Sequence, residues 1–219
     1  MNTLALPPVS TLLTRLFDDA DATQSVLEEQ MGEMTPQQRA SLIGGADWRS
    51  LYTRAKDAHL AVSRETGRLL YMLAHASRAR SVVEFGTSFG VSTLHLAAAL
   101  RDNGGGHLIS TEFEPGKVTQ ARANLDAAGL ADLVEIREGD ALETLTHDLP
   151  DTIDLVLLDG AKALYARILD LLEPRLCAGA LIVADNADMC PDYLTRMRSD
   201  RGYISVPFAS EVELSMRLP

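Results

Sequence analysis

Apolar residues recur three and four positions apart from Val9 to about Ser77, as in Leu12, Leu13 and Leu16 and again in Val26, Leu27 and Met31, with no alternating run among them. That spacing predicts helices. Thr35 and Pro36 read as an N-cap and a first helical residue, and Gly44-Gly45 as the stop of the short helix that follows. From Ser81 the pattern changes to short apolar runs, Ser81–Phe85, Leu108–Thr111, Leu133–Ile136, Ile153–Leu158 and Ala180–Ala184, with amphipathic stretches at about Val91–Leu100, Lys117–Ala128, Ala141–His147 and Leu164–Leu172 between them. Strands alternating with helices predict a parallel, doubly wound α/β sheet. One more helix fits Asp192–Arg198, and Tyr203–Val206 with Glu211–Leu218 read as a hairpin, giving seven strands of which one antiparallel strand ends the sheet. With neither an internal repeat nor a linker, residues 1–219 are taken as one domain, 1–60 a helical cap and 61–219 the α/β core.

Composition narrows the function classes. Lys and Arg total 20 against 31 Asp and Glu, a formal charge of −11. Such a surplus opposes non-specific attraction to phosphate backbones and anionic lipid, so neither a nucleic acid nor a membrane is the expected partner. The two cysteines, Cys177 and Cys190, lack the partners of a disulfide framework or a zinc site. No apolar run reaches membrane-spanning length and Met1–Ser10 has no export-signal pattern, so a cytoplasmic location is expected.

Ligands of open parallel sheets sit beyond the carboxyl ends of the strands, so the residues after each apolar run carry the chemistry. The first run ends in Glu84-Phe-Gly86-Thr-Ser88-Phe-Gly90, directly before a helix. Two glycines in that turn allow close backbone approach, but the dinucleotide fingerprint would want glycine at Glu84 and at Phe89, which disfavours NAD. Glu112 ends the second run, where a carboxylate can accept both hydroxyls of a ribose, and Asp140 follows the third after Gly139. Each alone is a common turn residue. Three at successive strand ends point to one site. The fourth run ends in Asp159 and the fifth in Asp185-Asn186: two strands then deliver three oxygen donors to one end of the sheet, a set suited to Mg²⁺, Mn²⁺ or Ca²⁺. The competing reading of Asp185-Asn186 is a helix cap.

These residues resemble a known family. The stretches VVEFGTSFGVSTLHLAAAL, LISTEFEP, VEIREGDALETL, DLVLLDGAKALY and GALIVADN are similar to the motifs of class I S-adenosylmethionine-dependent O-methyltransferases, in particular the catechol and caffeoyl-CoA group with its small bacterial relatives. The resemblance covers about Val62 to Asn186, and its most specific element is DGAK paired with a downstream DN. It implies that Glu84 holds the methionine amino group and that Gly86, Ser88 and Gly90 wrap the methionine portion. Ser92 and the Val62 backbone would help bind that portion, Glu112 the ribose, and Asp140 with Ala141 the adenine. Asp159, Asp185 and Asn186 map onto the family's metal ligands, and Lys162 onto the general base. The chain has 17 Arg but three Lys, and a lysine, unlike an arginine, can give up its proton.

The expected reaction is metal-dependent transfer of a methyl group to a hydroxyl oxygen of a small, phenolic or catechol-like acceptor, by a homodimer. Only 33 residues follow Asn186, without the Trp-Gly loop common in the family, so the acceptor pocket is expected to be rebuilt, with the N-terminal helices as its lid. Met31, Met34 and Trp48 are candidates to line it, against the plainer reading of core residues. The five histidines show no metal-ligand pairing, and His95 reads as packed. Two alternatives stay open: a methyltransferase acting on a modified tRNA base, which an Arg196, Arg198 and Arg201 cluster would permit, and a catalytically silent relative.

Overall fold

A computed structural model describes residues 2–32, 48–209 and 211–219. The N-terminal pattern forms three helices, α1 (Val9–Gly32), α2 (Trp48–Arg54) and α3 (Arg64–Ala76), the last capped by Ser63, whose Oγ accepts the Thr66 N–H at 3.0 Å. The Thr35-Pro36 start, the Gly44-Gly45 stop and Met34 lie outside the described residues. The core then runs β1 (Ser81–Phe85), α4 (Val91–Asp102), β2 (His107–Glu112), α5 (Pro115–Ala128), β3 (Val134–Glu138), α6 (Ala141–Thr144), β4 (Ile153–Leu158), α7 (Tyr165–Leu172), β5 (Leu176–Ala184), α8 (Pro191–Ser199), β6 (Tyr203–Phe208) and β7 (Val212–Arg217). Among the described residues no helix is long and apolar enough to cross a membrane.

The sheet has seven strands in the order β3-β2-β1-β4-β5-β7-β6, all parallel except β7, which runs antiparallel to both neighbours. The antiparallel strand therefore does not end the sheet. It inserts beside β5 and leaves β6 at the edge, where Pro207 costs no ladder hydrogen bond with a further strand. Alternate residues of each strand face opposite helical layers. Val82, Leu155, Leu157 and Val183 meet α1, α3, α4 and α5, whereas Val83, Phe85, Val156, Leu158 and Ile182 meet α7 and α8. Coverage on both faces explains why these strands read as continuous apolar runs.

Two boundaries differ by three residues or more from the sequence pattern. The helix expected over Ala141–His147 stops at Thr144, because the buried Arg137 guanidinium gathers the carbonyls of Thr144, His147 and Asp148 at 2.8 to 2.9 Å and so satisfies the turn without further helix. Strand β5 starts four residues early, at Leu176, across a register shift where Gly179 adopts φ +85°.

α1 is a core element. Val9, Leu12, Leu13, Leu16 and Phe17 are 2 to 7% exposed and pack into the cluster that contains α4. Ahead of α1, Thr3 donates its N–H and its hydroxyl to Asp102 at the end of α4, and Tyr71 of α3 donates to the same carboxylate at 2.7 Å.

Candidate active site

At the carboxyl ends of β1, β2 and β4 lies an open cavity of about 610 Å³, mouth included. Gly86 forms its floor where β1 meets β4. With φ +104°, it occupies backbone space in which a Cβ would stand 2.7 Å from the Asp159 carbonyl. Opposite, Trp48 and Tyr52, one turn apart on α2, form the roof: Trp48 packs edge-on to Phe113 and the Tyr52 hydroxyl donates to Gly160 O at 3.1 Å. Arg49 of α2 is ion-paired with Asp140, and Asp140 also accepts the Leu142 N–H at 2.9 Å as the N-cap of α6.

The structure brings Gly86, Ser88, Glu112, Ala141 and Asp159 to this cavity. The Glu112 carboxylate is aimed by two main-chain donors, Ser88 N–H at 2.7 Å and Glu114 N–H at 2.9 Å. Burial raises its pKa, and these hydrogen bonds together with the nearby Lys117 charge oppose the rise. A narrower slot continues past Ser88 between Ala61 and Ser92. Gly90, at φ +91°, opens α4 beside it.

Glu84 stands apart from the cavity. Its carboxylate is 0% exposed and accepts the hydroxyls of Ser92, Thr93 and Ser110. Burial pushes its pKa up to about 7 against those three bonds. As placed, it anchors the slot from behind through Ser92 and does not face it. The Val62 side chain is likewise buried, in the apolar cluster that contains α4. His95 is packed: its Nδ1 lies 2.8 Å from Val91 O and burial pulls its pKa down to about 4.

A second cavity of about 910 Å³ adjoins the first and shares Tyr52, Leu60 and Asp159 with it; Lys162, Asp185, Asn186 and Glu211 line its far side. Asp159 and Asp185 are fixed by main-chain ladders that outlast the strands, Asp159 N–H to Phe85 O at 2.8 Å and Asp185 N–H to Leu158 O at 2.9 Å. Burial raises both carboxyl pKa values; Asp159 raises that of Asp185 further, while the Lys162 ammonium opposes both. Lys162 Nζ donates to Asp159 Oδ1 at 3.2 Å, to the Tyr165 hydroxyl at 2.8 Å and to Asp185 O at 3.3 Å, and the Tyr165 hydroxyl donates to Asp185 O at 2.8 Å. Asn186 takes φ +48°, and its amide donates to Glu211 at 3.5 Å. Two crowded carboxylates and an amide form an all-oxygen donor set that fits a divalent cation. Among the described residues no three His, Cys, Asp or Glu side chains make a fuller cage, so water and ligand oxygens would complete the coordination.

Sequence reasoning missed Glu211, Tyr165 and Lys117. Glu211 belongs to no local motif and reaches the cavity only because β7 returns beside β5. Lys117 carried a compositional signal, as one of three lysines and five residues after Glu112.

The strand order, the glycine turn and the acids at successive strand ends define a Rossmann-like methyltransferase of class I. A methyltransferase-domain family profile matches residues 83–187. The chain is 35% identical over 151 residues to a catechol O-methyltransferase of Mycobacterium tuberculosis, covering 67% of this chain and 68% of that protein. It is 35% identical over 130 residues to the Niastella koreensis catechol O-methyltransferase, a match spanning 58% of the length of each. A cofactor-bound structure from M. tuberculosis superposes with a TM-score of 0.65 at 27% identity, covering 91% of this chain and 97% of that one. The chain belongs to the S-adenosylmethionine-dependent O-methyltransferase family that includes the catechol O-methyltransferases.

Proposed function

We propose that this protein transfers the methyl group of S-adenosylmethionine to a hydroxyl oxygen of a small phenolic acceptor with vicinal hydroxyls, in a reaction that depends on a divalent cation. The observation that carries the proposal is the junction: Asp159 stands where a cavity beside Glu112 opens into a second cavity lined by Lys162 and acidic oxygens. The first cavity takes the adenosine, and the slot beyond Ser88 takes the methionine portion. The acceptor enters the second cavity. When bound there by Asp159, Asp185 and Asn186, the cation supplies Lewis acidity that favours ionisation of the acceptor hydroxyl. Once Lys162 has released its own proton to solvent, its neutral amine receives the hydroxyl proton, and Tyr165 holds that nitrogen in place. The acceptor oxygen forms its new bond to the methyl carbon as the carbon–sulfur bond breaks, leaving S-adenosylhomocysteine and the methyl ether. The walls contribute proximity and alignment, so no covalent enzyme intermediate is needed.

Two of the three clustered arginines are engaged, Arg196 with Asp170 and Glu173 and Arg198 with Glu213, while Arg201 is exposed. Their neutralisation supports a small acceptor over a structured RNA.

A panel of diphenols assayed by radiolabelled methyl transfer tests the proposal. Chelator should abolish transfer and added Mg²⁺ restore it, while Asp159→Ala and Lys162→Ala should reduce turnover by about 100-fold or more. Undiminished transfer in excess chelator defeats the metal role, and full activity of both variants defeats the assignment of the site.

A further inference from the structure

Lys117, in the first turn of α5, is 3% exposed, yet its ammonium has no hydrogen-bond partner among the described residues. Its stem is buried while the ammonium opens onto the first cavity, where it can meet a ligand. The charges around it act only through space: the carboxylates of Glu112, Glu114, Asp57 and Asp159 favour the ammonium, while burial pulls its pKa below the ordinary lysine value. Its Nζ lies 5.4 Å from the centre of the Phe89 ring, on which the His59 imidazole also stacks at 4.0 Å. That imidazole is held below its ordinary pKa by burial first and by the Lys117 charge as well. Lys117 lines the first cavity together with Glu112 and Ser88.

Charged donors are scarce on this side of the cavity, where Glu112 can only accept. Both Glu112 oxygens are already aimed by main-chain N–H groups, at 2.7 and 2.9 Å, and an ionised carboxylate can only accept. A ribose diol gives two protons to such a carboxylate and then presents oxygen lone pairs that need donors. The Ser88 hydroxyl and the charged Lys117 Nζ are uncommitted donors that line the cavity with Glu112, and the charged one makes the stronger bond.

We infer that Lys117 is the donor half of a ribose-recognition site, in which Glu112 accepts the hydroxyl protons of the cofactor's diol and the Lys117 ammonium donates to a diol oxygen. The inference rests on the cofactor assignment of the proposed function. It differs from a role in which the lysine merely neutralises Glu112, because only a direct contact reads the hydroxyls.

Calorimetric binding of S-adenosylhomocysteine and of its 2′,3′-dideoxyribose analogue to wild type and Lys117→Met tests it. A hydrogen bond from a charged donor predicts that the variant loses about 10- to 100-fold in affinity for S-adenosylhomocysteine. The dideoxy analogue should bind the two proteins within about twofold of each other. Equal affinity of both proteins for S-adenosylhomocysteine overturns the inference, and so does an equal loss for both ligands. If Lys117→Met does not fold, Lys117→Ala, which likewise removes the donor, decides the matter by the same two-ligand comparison. Wild type that binds neither ligand refutes the cofactor assignment itself.

Discussion

Glu84 offers the sharpest test of how the site is built, because the resemblance makes it a ligand of the methionine amino group whereas the structure buries it behind Ser92. Its carboxyl is fully buried with a pKa near 7, against 4.5 for a free glutamate. A raised acid pKa means that the folded state holds its proton over a range in which the unfolded chain has lost it. Stability contributed by the neutral form is therefore complete below about pH 4.5 and is lost as pH rises towards 7. Between pH 5 and pH 8 the linkage relation assigns this one group a loss of roughly 2 to 3 kcal/mol. Glu84→Gln removes the titration while keeping an acceptor for the hydroxyls of Ser92, Thr93 and Ser110. Whatever constant effect the amide has, the difference in unfolding free energy between variant and wild type should grow by about that amount in favour of the variant from pH 5 to pH 8. Urea denaturation at several pH values measures the double difference directly. Stability profiles that run parallel within about 0.5 kcal/mol would show that Glu84 titrates in the folded protein as it does in the unfolded one, and the buried-anchor reading would fall.

Gly86→Ala should destabilise the fold by about 3 kcal/mol or more, because φ +104° strains any side chain there and the added carbon meets the Asp159 main chain at 2.7 Å; a urea midpoint close to wild type would refute it. Leu13→Ala should cost about 2 to 5 kcal/mol of stability and leave S-adenosylhomocysteine affinity unchanged, as read by urea melts and calorimetry. Removing residues 1–46 should abolish cooperative unfolding, since the deletion strips Val9, Leu12, Leu13, Leu16 and Phe17 from the core; a folded truncated protein that still binds the cofactor would contradict this.

The parallel strands were legible because both of their faces are covered, so each appears as an apolar run that no surface strand would show. Strand-end acids were legible for a related reason: the carboxyl end of a parallel strand is where polar side chains and main-chain groups meet open space. Interactions formed at a distance were not legible. The truncation of α6 depends on Arg137 gathering three carbonyls, and the position of β7 depends on insertion between β5 and β6, which no local pattern encodes. The same insertion brings Glu211 to Asn186, with the Ala187 N–H bonded to Glu211 O at 2.7 Å. Glu84 shows the limit of motif transfer, since a motif gives the residue type at the end of β1 but not the three hydroxyls, from α4 and β2, that turn its carboxylate inward.

The short segment after Asn186 suggested that the N-terminal helices alone would have to enclose the acceptor. The geometry divides that task by element. α1 backs the helical layer, α2 roofs the first cavity through Trp48 and Tyr52, and the turn between β6 and β7 walls the second with Glu211. The cations are divided as well. Arg137, Arg196 and Arg198 spend their planar forks on carbonyls and carboxylates that join neighbouring elements. Of the three lysines, Lys56 is exposed, while Lys117 and Lys162 line the two cavities. A compact ammonium on a flexible stem can face a cavity as a single donor and can change its protonation state, and a guanidinium does neither well. On the proposed function, a chain that otherwise relies on arginine keeps two of its three lysines where a ligand would be met, which is why so small a number in the composition carries information about the site.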